Sequence, residues 1–359
     1  MGRLRRPRHL RLPKRRALTF AAAIVAAAVV LGSCTPRPKG IRLGDMPEGA
    51  AAISWPSPPA QARIRFLASI SGPRDIGARP TLLRRVITAV TGAASPRVHQ
   101  PYGIAVDSLG RIFVADVTAQ GVHRFDPQRG EYRFITGGRG GLRSPIGVAL
   151  DSDGDLYVSD SEAGVVVVIR PDGRERRRIR AGLERPTGLA WDPARGWLWV
   201  ADTQRHRIVA FDRMGIERMS IGRRGSGPGE FNFPTNIVVA PDGMLYVSDA
   251  LNARVQVFAR NGEFVRAFGR RGYGVGDMAR PKGVALDSEG HVYVVEGLYD
   301  VVNIFDSEGR SLLSFGGAGA GPGEFWLATG IAIDREDRVY VADSHNGRIQ
   351  VMQFVRDAR

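Results

Sequence analysis

The chain has 359 residues, a formal net charge of +15, one cysteine and 43% hydrophobic residues. That length suffices for one large core or for a series of repeated units, and a single cysteine excludes an intrachain disulfide. The charge is uneven: residues 1–33 hold eight basic and no acidic side chains, which leaves 43 basic against 36 acidic residues, a net +7, for the remainder. The basic excess therefore belongs largely to the first segment and is no argument for a nucleic-acid partner.

That segment reads as a leader. A basic stretch, Arg3 to Arg16, precedes an apolar run of fifteen residues, Ala17 to Leu31. The run is short for a spanning helix of about 20 residues. It ends in Leu31-Gly32-Ser33-Cys34, with small residues before the cysteine that suit a signal peptidase. The motif resembles a bacterial lipobox, which implies cleavage after residue 33, lipid on the sulfur of Cys34, export, and attachment to a membrane facing the periplasm or the cell surface. An ordinary signal or anchor with an incidental cysteine is the alternative. Residues 34–61, with the strings TPRPKG and SWPSPPA, have the composition of an extended tether.

Residues 62–70 form an alternating strand with no local partner. Residues 71–98 interrupt the pattern. Within them Leu82, Leu83, Val86, Ile87 and Val90 are spaced as one face of a helix over residues 80–90. It is expected to lie on the ring described next or to dock a partner or a membrane surface.

From residue 99 a single pattern recurs six times. Each copy runs from the start of a strand to a closing acid: Asp116, Asp160, Asp202, Asp249, Glu296 and Asp343, spaced 44, 42, 47, 47 and 47 residues apart. Copy 4 is the clearest, reading as four short strands between Pro234 and Gly269, with Pro241-Asp242-Gly243 and Asn261-Gly262 as turns. A period of 40–50 residues built from four strands is the signature of a propeller blade. The expected blades are about 99–140, 141–182, 183–227, 228–275, 276–318 and 319–359. Val and Ile should face neighbouring blades on both sides, hence nearly continuous apolar runs. The closing acid should cap the turn that follows it.

The words of this pattern can be compared with known repeats. Asn252-Ala253-Arg254-Val255-Gln256-Val257-Phe258, Asn346-Gly347-Arg348-Ile349-Gln350-Val351, and the connectors SGPGEF (226–231) and AGPGEF (320–325) resemble the NHL repeat. Copies 1, 2 and 5 lack the arginine after the closing acid. The resemblance implies an all-β, six-bladed β-propeller over residues 99–359. Copy 6 runs out after its third strand, so its outermost strand is expected from residues 62–70, closing the ring.

A ligand is expected at the mouth of the central channel, where the inner strands begin. The residues placed there are Tyr102, Ile146, Thr187, Thr235, Lys282 and Thr329. Peptidyl-α-hydroxyglycine α-amidating lyases, similar in fold, carry zinc-binding histidines at such positions. No histidine stands at any of the six here, and the six histidines of the chain show no ligand spacing. A calcium site resembling that of lactonase propellers has Asn236 and Glu296 as its candidates. Copy 5 departs furthest from the pattern, with Lys282, Glu296 and Tyr299. Gly-rich strings such as GGRGG (137–141) lack the strand-to-helix context of a phosphate loop.

Arg174, Arg176, Arg177, Arg178 and Arg180 crowd the outer strand of blade 2. They serve either to keep an exposed edge from pairing or as a basic patch for an acidic partner. The expectation is a monomeric, membrane-anchored binding or scaffold module for an envelope protein or glycan, with no nucleic-acid partner and no cofactor. The alternative is a lyase or hydrolase with zinc or calcium in the channel.

Overall fold

A computed structural model describes residues 53–78 and 96–356. Cys34, the leader and the helix expected over residues 80–90 lie outside the described residues. The described chain is all-β: six antiparallel sheets follow one another, five of four strands and one of five. In each, the first strand of the repeat lies innermost, Ala328–Ile333 in the five-stranded sheet. The inner strand of every blade packs against those of both neighbours, and Ala328–Ile333 of blade 6 packs against Pro101–Val106 of blade 1. The ring is therefore closed.

Closure is made by the strand expected to make it. Ile64–Ile70 pairs antiparallel with Arg348–Phe354, from Ile64 opposite Phe354 to Ile70 opposite Ile349. Its buried side chains alternate with exposed or half-buried ones. Ile64 joins the core between blades 5 and 6, while Ala68 and Ile70 join the core between blades 6 and 1. Part of the segment expected to be a tether, up to residue 61, is built into the ring. Ser54–Trp55 adds a fifth strand outside Ile64–Ile70, and the Trp55 ring packs 5.6 Å from that of Phe315. An apolar indole can stack on a blade where the surrounding prolines cannot pair, and composition alone hid that distinction.

The core is six clusters, one in each wedge between adjacent blades. The second strands are buried on both faces because each looks into two wedges, as in Leu156–Asp160 and Val292–Glu296. Inner strands approach one another so closely that a Cβ at Gly147 would overlap the carbonyl oxygen of Thr187 in the next blade.

The closing acids do more than cap a turn. Asp116 accepts from the backbone N–H groups of His99 (2.6 Å) and Gln100 (3.2 Å), in the segment leading into the same blade's inner strand, and also from Ala119 in the turn that follows. Asp160 holds Arg143 and Ser144, and Asp202 holds Glu184 and Arg185. Asp249 holds Asn232, and Asp343 holds Trp326. These carboxylates are fully buried. In blades 3, 4 and 6 they also pair with Arg207, Arg254 and Arg348. Gln256 and Gln350 bridge the acid to a connector carbonyl, and in blade 1 the corresponding side chain is His123, whose Nε2 lies 3.2 Å from Asp116.

Burial raises the Asp116 pKa, but the hydrogen bonds from His123, His99, Ala119 and Gln100 outweigh it and bring the carboxyl down to about 2. A folded-state pKa below the unfolded value of about 3.9 contributes stability above that value, and the contribution disappears as pH falls towards 2. Asp116→Asn should cost about 2 kcal/mol at pH 7 and flatten the stability profile between about pH 4 and pH 2, read as urea midpoints across that range. Ile70→Ala, which hollows the wedge at the ring junction, should cost about 2–5 kcal/mol in the same assay. An unchanged midpoint would remove the closing strand's role.

Candidate functional site

The face on which the inner strands begin carries the connectors, the turns after the closing acids and the mouth of the channel. The channel runs down the axis with a volume of about 350 Å³. At its far end it is lined by Val106, Leu150, Trp191, Val239, Leu286 and Ile333, one from each blade. Its walls expose inner-strand backbone groups as well as apolar side chains.

Three of the threonines placed at that mouth are committed to holding the ring. Thr187 Oγ1 shares a 2.6 Å hydrogen bond with Thr203 and lies 3.0 Å from the Thr235 carbonyl of blade 4. Thr235 donates towards the Pro281 and Lys282 carbonyls of blade 5, and Thr329 towards Pro101 and Tyr102 of blade 1. Each hydroxyl thus satisfies backbone carbonyls of the adjacent inner strand.

Glu296 and Tyr299, the irregular residues of blade 5, also have structural partners. Glu296 is fully buried and accepts from the N–H groups of Ala279, Arg280 and Leu298, taking the place that aspartate takes in the other blades. Its oxygens do not face the channel for a ligand. Tyr299 stands where blades 4 and 6 have Asn252 and Asn346, and donates to the Gly272 carbonyl as they donate to those of Gly225 and Gly319. Asn236 lines the channel, and its Oδ1 accepts from the N–H of Ile237. Among the described residues no three His, Cys, Asp or Glu side chains come together as a metal site.

Lys282 is different. It is half-buried, and its ammonium makes no hydrogen bond or ion pair among the described residues; it lies 5.7 Å from the centre of the Tyr102 ring. Burial, reinforced by the Arg280 charge, lowers its pKa despite the opposing pull of Glu296 and Asp300. Burial raises that of Tyr102, against the pull of Arg185 and Arg280.

The histidines have local roles. His123 is buried, with Nδ1 2.9 Å from the Tyr132 hydroxyl, and His206 Nδ1 accepts from the Phe233 N–H. His291 lies 2.8 Å from Asp287, and His345 packs on Trp326. His123 was legible as a clasp residue from its place seven positions after Asp116, where Asp249 and Asp343 have glutamine.

The arginines of blade 2 do not form one cationic face. Arg176 pairs with Asp155 at 2.6 Å, and Arg178 pairs with Glu175 while donating to the Gly137 and Gly141 carbonyls. Arg177 approaches the sulfur of Met214, and Arg174 lies 3.9 Å from Asp172. Arg174 and Arg180 are exposed. The glycine-rich GGRGG string serves in part as the acceptor for Arg178.

A surface feature not anticipated from the sequence lies on the channel-mouth face. Two residues after the closing acid, blades 1, 2 and 3 expose Thr118, Glu162 and Gln204, whereas blades 4, 5 and 6 expose Leu251, Leu298 and His345. Beside these, Tyr273 is 92% exposed and Trp326 55%. The patch is continuous through hydrogen bonds and ring contacts: Arg271 reaches the Leu251 carbonyl, Tyr273 packs on Tyr299, and Asp300 accepts from the Leu327 N–H beside Trp326. The signal was present in the alignment of the six copies, at a position that blade geometry leaves unconstrained.

Two segments, residues 142–169 and 325–352, match the sequence model of the NHL repeat. The chain carries NHL repeats. A comparison with curated proteins finds no match. Among solved structures, virginiamycin B lyase from Staphylococcus aureus is 17% identical, with 71% of this chain and 95% of that chain covered and a TM-score of 0.53. A gluconolactonase from Xanthomonas campestris is 17% identical, with 72% and 87% covered and a TM-score of 0.55. An auxiliary nutrient binding protein from Bacteroides thetaiotaomicron is 13% identical, with 70% and 68% covered and a TM-score of 0.57. At these identities the likeness establishes the propeller fold.

Proposed function

We propose that this NHL-repeat propeller is an exported binding module, lipid-anchored at Cys34, that docks an envelope protein through the channel-mouth face of blades 4 to 6. The observation that carries this reading is the contrast at one repeated position: polar in blades 1 to 3, apolar or aromatic in blades 4 to 6. The same backbone turn recurs around the ring, so folding does not demand Leu298 where Glu162 serves. Exposed Leu, Val, Tyr and Trp side chains flanked by arginine have the composition of a protein interface. A glycan is the other partner considered, and the two aliphatic residues Leu251 and Leu298 favour protein.

The reading is non-enzymatic. It is supported by the internal use of Thr187, Thr235, Thr329 and Glu296, and by the absence of histidine at the six channel-mouth positions. A metal-dependent lyase or hydrolase remains the alternative reading; the lyase and gluconolactonase among the structural neighbours share its fold at 17% identity.

Two experiments test the proposal. A photo-crosslinking amino acid at position 298 should give one discrete adduct in intact cells, lost in the Tyr273→Ala/Trp326→Ala double variant, while the same group at position 162 gives none. Equal adducts from both positions would discard the docking face. Cys34→Ala should abolish acyl labelling and move the protein from the membrane to the soluble fraction. Retention on the membrane without acyl label would overturn the anchor.

A further inference from the structure

The apolar side chains of blades 4 to 6 share the channel-mouth face with charge, and that charge is one-sided. Arg143 and Arg205, in blades 2 and 3, face exposed glutamates, Glu162 at 3.9 Å and Glu184 at 3.6 Å. In blades 4 and 5 the carboxylates are already engaged. Glu230 is held by Arg223 and the Gly227 N–H, and Asp277 by Arg270 and the Gly274 N–H. Glu296 and Asp300 are buried on backbone N–H groups. Arg224, Arg271, Arg280 and Lys282 have no carboxylate partner among the described residues. Arg185 of blade 3 is also free, which extends the excess to the rim beside blade 4. Against these cations stands Glu324 of blade 6, exposed, with one oxygen on the Gly321 N–H. The cations interleave with the apolar residues. Arg271 donates to the Leu251 carbonyl, and the Arg280 carbonyl accepts from the Gly297 N–H, next to Leu298. Arg224 precedes Gly225, whose carbonyl holds Asn252 beside Leu251.

Lys282 displaces contacts that hold the ring elsewhere. Its stem crosses Gly297, where an added Cβ would stand 2.7 Å from Lys282 Cε and 2.8 Å from Cδ. The other blades have Val117, Ser161, Thr203, Ala250 and Ser344 at that position. Ser161 and Thr203 donate to backbone carbonyls of the next blade, as Thr187, Thr235 and Thr329 do from the position of the lysine. Blade 5 has neither hydroxyl. In their place it holds a half-buried ammonium with no hydrogen bond or ion pair, 5.7 Å from the centre of the Tyr102 ring. A partly desolvated cation without a counter-charge is costly. The fold gains nothing from this exchange, whereas an anionic group arriving from outside would complete it.

We propose that the protein segment docking on blades 4 to 6 is acidic. One of its carboxylates lies on the Lys282 ammonium, further Asp or Glu side chains face Arg280 and Arg271, and apolar residues between them pack on Leu298 and Tyr273. This rests on the docking face proposed above and names the chemistry of its occupant. The exposed arginines steer the approach and set the register, while the charge pair at Lys282, desolvated by the contact, slows release. The aromatic and aliphatic side chains supply the apolar centre of the interface.

The test places the photo-crosslinking amino acid at position 298 of the full-length chain in intact cells and adds charge-removing substitutions. With Lys282→Gln and Arg280→Gln together, the yield of the adduct should fall by about tenfold or more, the effect of removing one side of a desolvated charge pair. The crosslinked peptide of the partner, sequenced by tandem mass spectrometry, should carry more Asp and Glu than Lys and Arg. If the Lys282→Gln chain does not fold by circular dichroism, Arg271→Gln with Arg280→Gln, both at exposed sites, decides the matter through a smaller fall in yield. An adduct undiminished in the folded charge variant, or a crosslinked peptide without an acidic excess, overturns the acidic partner and leaves the docking face standing. An adduct missing from the chain without charge substitutions, or one that contains no protein, overturns the docking face and the acidic partner together.

Discussion

The structure depends on a buried carboxylate that grips backbone 16 to 18 residues upstream. In each blade the closing acid sits at the end of the second strand and accepts from N–H groups leading into the first. Those N–H groups belong to a connector that otherwise lacks a ladder partner, and burying them unpaired would be costly. The acid satisfies them at once and fixes where the inner strand begins, and therefore where the channel mouth lies. Arg254 and Arg348 complete the arrangement in blades 4 and 6 by neutralising the acid and tying down connector carbonyls.

This explains why blade 5 drew attention in the sequence without hosting chemistry. Glu296 is one methylene longer than aspartate, yet reaches the same N–H groups, and the blade lacks the arginine that accompanies Asp249 and Asp343. Tyr299 replaces an asparagine amide with a phenol at the same carbonyl. The departures are alternative solutions to one bonding problem. Lys282 falls outside that account, since the equivalent threonines hold neighbouring strands with their hydroxyls and its ammonium holds nothing.

Most of the architecture was legible because strand runs, turns and closing acids repeat in phase, and because residues 62–70 matched a vacancy in the last blade. The Ser54–Trp55 strand was hidden by surrounding prolines whose composition argues for a tether. The blade 2 arginines were misleading as a cluster: charge is visible in sequence, but its partners, Asp155 for Arg176 and the Gly137 and Gly141 carbonyls for Arg178, come from folding. The channel-mouth threonines were placed correctly on their strands, but their engagement with the next blade depends on an approach between inner strands that no local pattern records. The aromatic half-face was readable in principle, by asking where six copies differ without structural cause.

The pairing of Ile70 with Ile349 spans 279 residues. A chain made or threaded through a pore from its first residue releases the closing strand near the beginning and its mate near the end. Blades 2 to 5 can close their wedges on one another as they emerge, whereas the wedge between blades 6 and 1 is completed only when the early strand meets Arg348–Phe354. A nascent ring of this kind carries an exposed apolar seam for nearly the whole of its emergence. The early strand is without its partner for longer than any other strand of the ring, and that dwell is the interval in which a holding factor would have most to gain.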